Sequence, residues 1–192
     1  MIAKLKDILE IRNGYQIAGR VQPEPDGPYA IIQIKDFKKD PADFTNLERI
    51  TPERTPELYQ VIAGDVLFLS RGQKLTATAI QINLKNTIAS GYFFILRLKT
   101  KGILPEYLAW YLNSDKFQND LSSYIKGSHI PLILKSDFQE LTVSVPSTDI
   151  QRKVIELAKL ADQDSRLNNL IQDKRKKLIN AISLNAINSK LE

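Results

Sequence analysis

The last quarter of the chain is the strongest constraint on its fold. After the alternating stretch "LTVSV" (141–145) and Pro146, apolar residues fall at Ile150, Val154, Leu157, Ala161, Leu167, Ile171, Leu178 and Ile182. Most steps are three or four residues. The two longer ones pass over a polar position, near Asp164 and near Lys174. This spacing predicts one long helix with a heptad-like seam, in which a polar position fixes register and partner. Thr148 and Gln151 stand in capping-box spacing just past Pro146 and mark its start. From Asp149 to Ile187 such a helix is roughly 58 Å long at ~1.5 Å per residue. A domain of ~150 residues is only about 30 Å across. Most of the apolar stripe therefore needs a cover. Another chain, a second copy of this one, or a bend back onto the domain would each supply it.

Ahead of the helix, residues 1–146 read as a β-rich domain. "IAKLKDILEIRNG" is a short lead-in with Leu5, Ile8 and Leu9 on one face and a turn at Asn13-Gly14. "VQPEPDGPY" (21–29) is a loop, and "YAIIQIKDF" (29–37) alternates as a strand does. A long polar excursion fills 38–61. Strong strands follow: Val66 to Ser70 after a Gly-Asp turn, then two or three more within 77–84 and 87–99. "LPEYLAWYLNSDKFQNDLSSYI" (104–125) is helical, with Pro105 in its first turn and an apolar stripe of Leu108, Tyr111, Leu112 and Phe117. The expectation is an α+β fold: a β-rich domain over 1–146 with one internal helix, then a long coiled-coil-like helix over 147–192.

The search for chemistry returns little. There is no cysteine, which removes disulfides, thiolate zinc sites and a cysteine nucleophile. A single histidine, His129, cannot build a histidine-rich metal site, so the expectation is no metal. No phosphate-binding glycine loop, nucleophile elbow or Glu-x-Lys nuclease pair occurs. The N-terminus lacks the apolar core of a signal peptide, and no apolar run reaches the ~18 residues of a membrane span. A non-catalytic binding protein of the cytoplasm is the expectation, with no membrane partner.

The net charge is +5, which leans weakly toward a polyanion. Only +2 of it lies in residues 1–148, from 18 Lys/Arg against 16 Asp/Glu, so binding to DNA would run through a local patch. The candidates are loop residues. Arg71, Gln73 and Lys74 follow a strong strand and supply a planar fork, an amide and a point charge. Lys126, Ser128 and His129 surround the flexible Gly127, while Lys35 and Lys38 open the polar excursion. Tyr15 and Gln16 sit in the early turn. Arg and Lys in turns are usually just solvated, and that is the competing reading of each cluster.

Several stretches, taken in order, resemble the specificity (S) subunit of type I restriction–modification systems. They are "VIAGDVLFLSRGQ" (61–73), "TIASGYFFILRLK" (87–99) and the run from Leu104 to Asp162, with Gly127, the strand Leu141 to Val145, Pro146 and Gln151. The family often carries two prolines before the helix; here Ser147 follows Pro146. Typical subunits hold two such motif sets, and this sequence holds one. The resemblance implies a target-recognition domain for double-stranded DNA and a helix that docks a DNA adenine methyltransferase subunit. It also implies a separate restriction or motor subunit, with S-adenosylmethionine on the methyltransferase and no cofactor on this chain. With one motif set, the expected completion is a homodimer through the seam from Ile150 to Ile182, reading a two-part inverted repeat. A protein–protein interaction module with a coiled-coil stalk, a magnesium nuclease, and the recognition subunit of a related phage-defence modification system are the rival readings.

Overall fold

The structure is a computed structural model. It describes residues 1–17, 19–37, 42, 44–53, 55–127 and 130–188. Two compact units emerge, Met1–Gln151 and the chain from Arg152 onward.

The first unit is α+β. A four-stranded antiparallel sheet lies at its centre in the order β2-β8-β5-β6. Its strands are β2 (Leu9–Asn13), β8 (Phe93–Leu98), β5 (Val66–Leu69) and β6 (Ala77–Ala79). A second sheet pairs β3 (Tyr29–Ile32) antiparallel with β4 (Glu48–Ile50) and parallel with β7 (Thr87–Ala89). The lead-in forms β1 (Ile2–Lys4), which pairs with β9 (Thr142–Ser144), and the short helix α1 (Leu5–Ile8). The expected strand over 29–37 ends at Ile32. Asp36 then accepts from the Gln33 N–H at 2.9 Å and turns the chain into α2 (Ile34–Phe37).

Period-two alternation explains why β5 and β8 are apolar on both faces. Leu67, Leu69, Phe93 and Ile95 point one way, into a core shared with Ile32, Phe37, Val61 and Ala89. Phe68 and Phe94 point the other way, against Phe138 at 4.5 and 5.3 Å between ring centroids. Phe138 ends α5 (Lys135–Phe138). The central sheet is thus covered on both faces, by the second sheet and by helices.

The single internal helix expected over 104–125 is two helices, α3 (Pro105–Asn113) and α4 (Asp115–Ser122). Ser114 divides them: its hydroxyl donates to the Tyr111 carbonyl at 2.6 Å and accepts from the Phe117 N–H at 3.4 Å, so it caps the second helix. The Gly-Asp turn has a structural purpose. Asp65 is fully buried, and Arg97 grips both its oxygens at 2.8 Å, tying the start of β5 to β8.

The long helix α6 runs from Thr148 to Asn188, 41 residues. Its capping box does not form. Gln151 is fully buried; its amide oxygen accepts from the Leu104 N–H at 2.9 Å, and its nitrogen donates to the Gly102 and Pro146 carbonyls. Leu104 is the N-cap of α3, so this glutamine satisfies the start of a different helix. On either side of it the seam lies open. Ile150, Leu157, Leu167, Ile171, Leu178 and Ile182 are exposed, as is Ala161, while Val154 is half-buried. Leu160, Leu170, Ile179, Leu184 and Ile187 are also exposed and widen the stripe beyond the expected seam. At the polar interruption, the Asn168 amide donates to Asp164 at 3.0 Å. No helix among the described residues is long and apolar enough to cross a membrane.

Candidate nucleic-acid interface

Three turns at one end of the sheets are laced together by backbone hydrogen bonds. Tyr15 N–H donates to the Ala89 carbonyl at 2.7 Å, and Ser70 donates to the Tyr92 carbonyl through its N–H at 2.8 Å and its hydroxyl at 2.9 Å. Residues far apart in sequence therefore wall one cleft of about 320 Å³, with Gln16, Lys35, Arg71, Ser90 and Tyr92 among its lining. Four sequence candidates meet here: Tyr15, Gln16, Lys35 and Arg71. Among the described lining residues, the charged ones are Lys35 and Arg71, with no carboxylate.

Their states differ. Arg71 is exposed, and its guanidinium lies over the Tyr92 ring, 6.0 Å from the centroid, a cation–π contact. Lys35 is ion-paired with Glu48, which also accepts from the Gln33 amide at 2.6 Å. That lysine, and then the amide, hold the Glu48 carboxyl below the usual glutamate range. Tyr15 is buried and its hydroxyl accepts from the Glu53 N–H at 2.9 Å, so its phenol oxygen is already engaged. Gln16 donates weakly to the Gly91 carbonyl at 3.5 Å. A Cβ at residue 91 would stand 2.5 Å from that amide, so only glycine lets Gln16 lie there.

A second cleft of about 570 Å³ adjoins the same loop, with Gln73 and Lys74 lining it beside Phe37, Leu69 and Ile130. Lys126 stands in a hairpin fastened to the Arg71 loop. Gly72 N–H donates to the Pro131 carbonyl, Ile133 N–H donates to the Ser70 carbonyl, and Lys126 exchanges both backbone bonds with Leu132. Gly127 turns that hairpin at φ +90°, where a Cβ would press on the Ile130 carbonyl at 2.7 Å. The Lys126 ammonium is paired with Asp137 at 3.2 Å. Ser128, His129 and Lys38 lie outside the described residues. Among those described, no cluster of His, Cys, Asp and Glu could hold a metal ion.

Two lining residues escape sequence reasoning. Ser90 is 5% exposed, and its hydroxyl has no hydrogen-bond partner in the protein, an arrangement that normally costs about 1–3 kcal/mol. Tyr92 is 45% exposed. Both sit in the Ser90-Gly91-Tyr92 turn that carries the chain from one sheet to the other. A small residue, a glycine and an aromatic between two strand-like runs was the available signal.

The fold is shared with solved structures. The S subunit of a type I restriction-modification system from M. genitalium matches with a TM-score of 0.57 and 16% identity, over 92% of this chain and 42% of that one. The HsdS subunit from Thermoanaerobacter tengcongensis matches with a TM-score of 0.61 and 17% identity, over 88% and 43%. A chain from a structure described as the basis of complex assembly and conformational transition of the type I R-M system matches with a TM-score of 0.60 and 19% identity, over 87% and 39%. This chain thus spans about two-fifths of the length of the solved chains it resembles. None of the curated proteins compared with it matches in sequence. Residues 1–181 match the type I restriction modification DNA specificity domain. The chain belongs to that family, and its β-rich unit followed by a long helix is the fold of a type I specificity subunit.

Proposed function

We propose that this chain is the non-catalytic, sequence-reading subunit of a type I DNA methyltransferase and restriction complex of the cytoplasm. The observation that carries the reading is the cleft at the sheet ends. Four parts of the chain converge there, three turns and the start of α2; the charged residues described in its lining are cationic, and Arg71 is held by an aromatic ring instead of a carboxylate. Base edges are read by such forks and amides, while lysines such as Lys74 grip phosphates. Lys35 and Lys126, already paired with Glu48 and Asp137, contribute less to phosphate binding than their charge suggests.

The exposed stripe of α6 supports self-association. A second copy packed on the seam from Ile150 to Ile182 would relate two recognition units by a twofold axis and give a bipartite inverted-repeat target. Asp164 and Asn168 interrupt the stripe on its own face, and in an antiparallel pair they favour one register over its neighbours. The remaining face of the helix is where a partner methyltransferase subunit would dock. That subunit would carry S-adenosylmethionine and modify an adenine turned out of the duplex. A separate motor subunit would carry restriction.

The test is binding of the chain, purified with the methyltransferase encoded beside it, to labelled genomic duplex fragments under excess non-specific competitor. Retention on a subset of fragments, weakening steeply with salt, is the expected result. Absence of DNA binding at low salt, with the two proteins firmly associated, would replace this reading with an interaction module. Cleavage by the chain alone with magnesium would replace it with a nuclease.

A further inference from the structure

The side chains around the cleft say what kind of group it takes. Phosphate sites are built from free backbone N–H groups, at helix ends or in nests. Four of the backbone N–H groups in these turns are already engaged: Tyr15 N–H with Ala89, Ser70 N–H with Tyr92, Gly72 N–H with Pro131 and Ser90 N–H with Ile32. The side chains facing the cleft are of mixed character. Arg71 presents a planar fork and Gln16 an amide, and Val21 and Ile34 add apolar wall. A flat, partly apolar group with polar edges fits this lining better than a tetrahedral anion does.

The choice of base follows from donors and acceptors. Arginine has only donors. In the major groove guanine presents two neighbouring acceptors, O6 and N7; adenine places a donor beside its acceptor, and cytosine presents an amino donor. Tyr92, 45% exposed, lies beneath the guanidinium and limits where the fork can swing. A fork held in this way loses less freedom when it engages a base edge.

We propose that the cleft between the 14–17, 70–72 and 90–92 turns reads one guanine of the target through Arg71, and that Tyr92 is the positioning residue which aims it. This rests on the recognition role argued above and assigns it a base and a residue pair. The experiment is selection from a random-sequence duplex pool by the full chain with its methyltransferase, followed by sequencing, for the wild type, Arg71→Lys, Tyr92→Leu and Tyr92→Phe. The wild type should fix guanine at one position. Arg71→Lys and Tyr92→Leu should each relax that position, by about 5- to 150-fold for full loss of a bidentate contact, and leave the other positions intact. Tyr92→Phe, which keeps the ring, should retain the preference. Equal loss on all sequences with a shallower salt slope would show Arg71 gripping phosphate and overturn the proposal. So would unchanged preferences in Arg71→Lys, or a Tyr92→Leu profile equal to the wild type. A wild type that enriches no sequence would instead overturn the recognition role itself.

Discussion

In the unit Met1–Gln151, the large apolar side chains are inside: Phe68, Phe93, Phe117 and Phe138 are fully buried, and the buried carboxylate of Asp65 has its arginine. Beyond Arg152 the pattern reverses. Leu157, Leu160, Leu167, Leu170, Ile171, Leu178, Ile179 and Ile182 are between 45% and 67% exposed. The helix there is supported by its own backbone bonds and by pairs such as Asp162–Arg166 at 2.7 Å and Asp173–Lys177 at 2.8 Å, each worth only about 0.3–0.5 kcal/mol. Helices draw most of their stability from packing an apolar face. The first unit therefore covers its own apolar side chains, whereas the second leaves its apolar stripe open.

Separate substitutions break each side of that contrast. The largest effect is expected from charging the stripe. Leu167→Asp with Ile171→Asp should abolish self-association in sedimentation velocity while leaving the urea midpoint of the globular unit in place. A dimer that survives both changes would move the contact off this face. Next comes Arg97→Ala. It strands the buried Asp65 carboxylate and should destabilise the globular unit by about 3–5 kcal/mol in urea unfolding, with the oligomer interface itself unaltered. Gln151→Ala leaves the Leu104 N–H and two carbonyls without their partner and should cost about 1–3 kcal/mol. A loss confined to the helix, with the globular transition unmoved, would contradict the bonding of Gln151 within the first unit.

The smallest effect is a pH dependence. Glu48 has a folded pKa below its unfolded value, so its contribution is complete above the usual glutamate range. It is lost as pH falls from there through the lower folded value. Glu48→Gln should flatten acid unfolding in that window by no more than about 1 kcal/mol, because the pair with Lys35 is partly exposed. A larger change would mean a more closely buried pair.

Much of this was legible in the sequence. The nearly unbroken apolar runs at 66–69 and 93–98 give their strands directly, because a strand covered on both faces is apolar on both sides of its alternation. The three- and four-residue steps after Pro146 give the helix. Arg71, Lys35, Tyr15 and Gln16 were each nominated, but nothing local shows that they share a cleft, since three separate turns must be sewn together first. Gln151 shows the limit most clearly. Its spacing from Thr148 is that of a capping box, yet it bonds to Leu104 and Gly102, nearly fifty residues away in sequence. Ser114 hid the break between α3 and α4 because a serine inside an amphipathic stretch reads as surface until its cap bond is seen.

The most direct test of the central claim, that the first unit reads DNA and the helix brings two such units together, is base-modification mapping by long-read sequencing. The DNA would be plasmid from cells expressing this chain with the methyltransferase encoded beside it. The account predicts methylated adenines within a two-part inverted repeat, lost when Leu167 and Ile171 are both changed to Asp. Modification at a site with two unlike halves would contradict the symmetric pairing, and no modification by a soluble, assembled complex would contradict the recognition role.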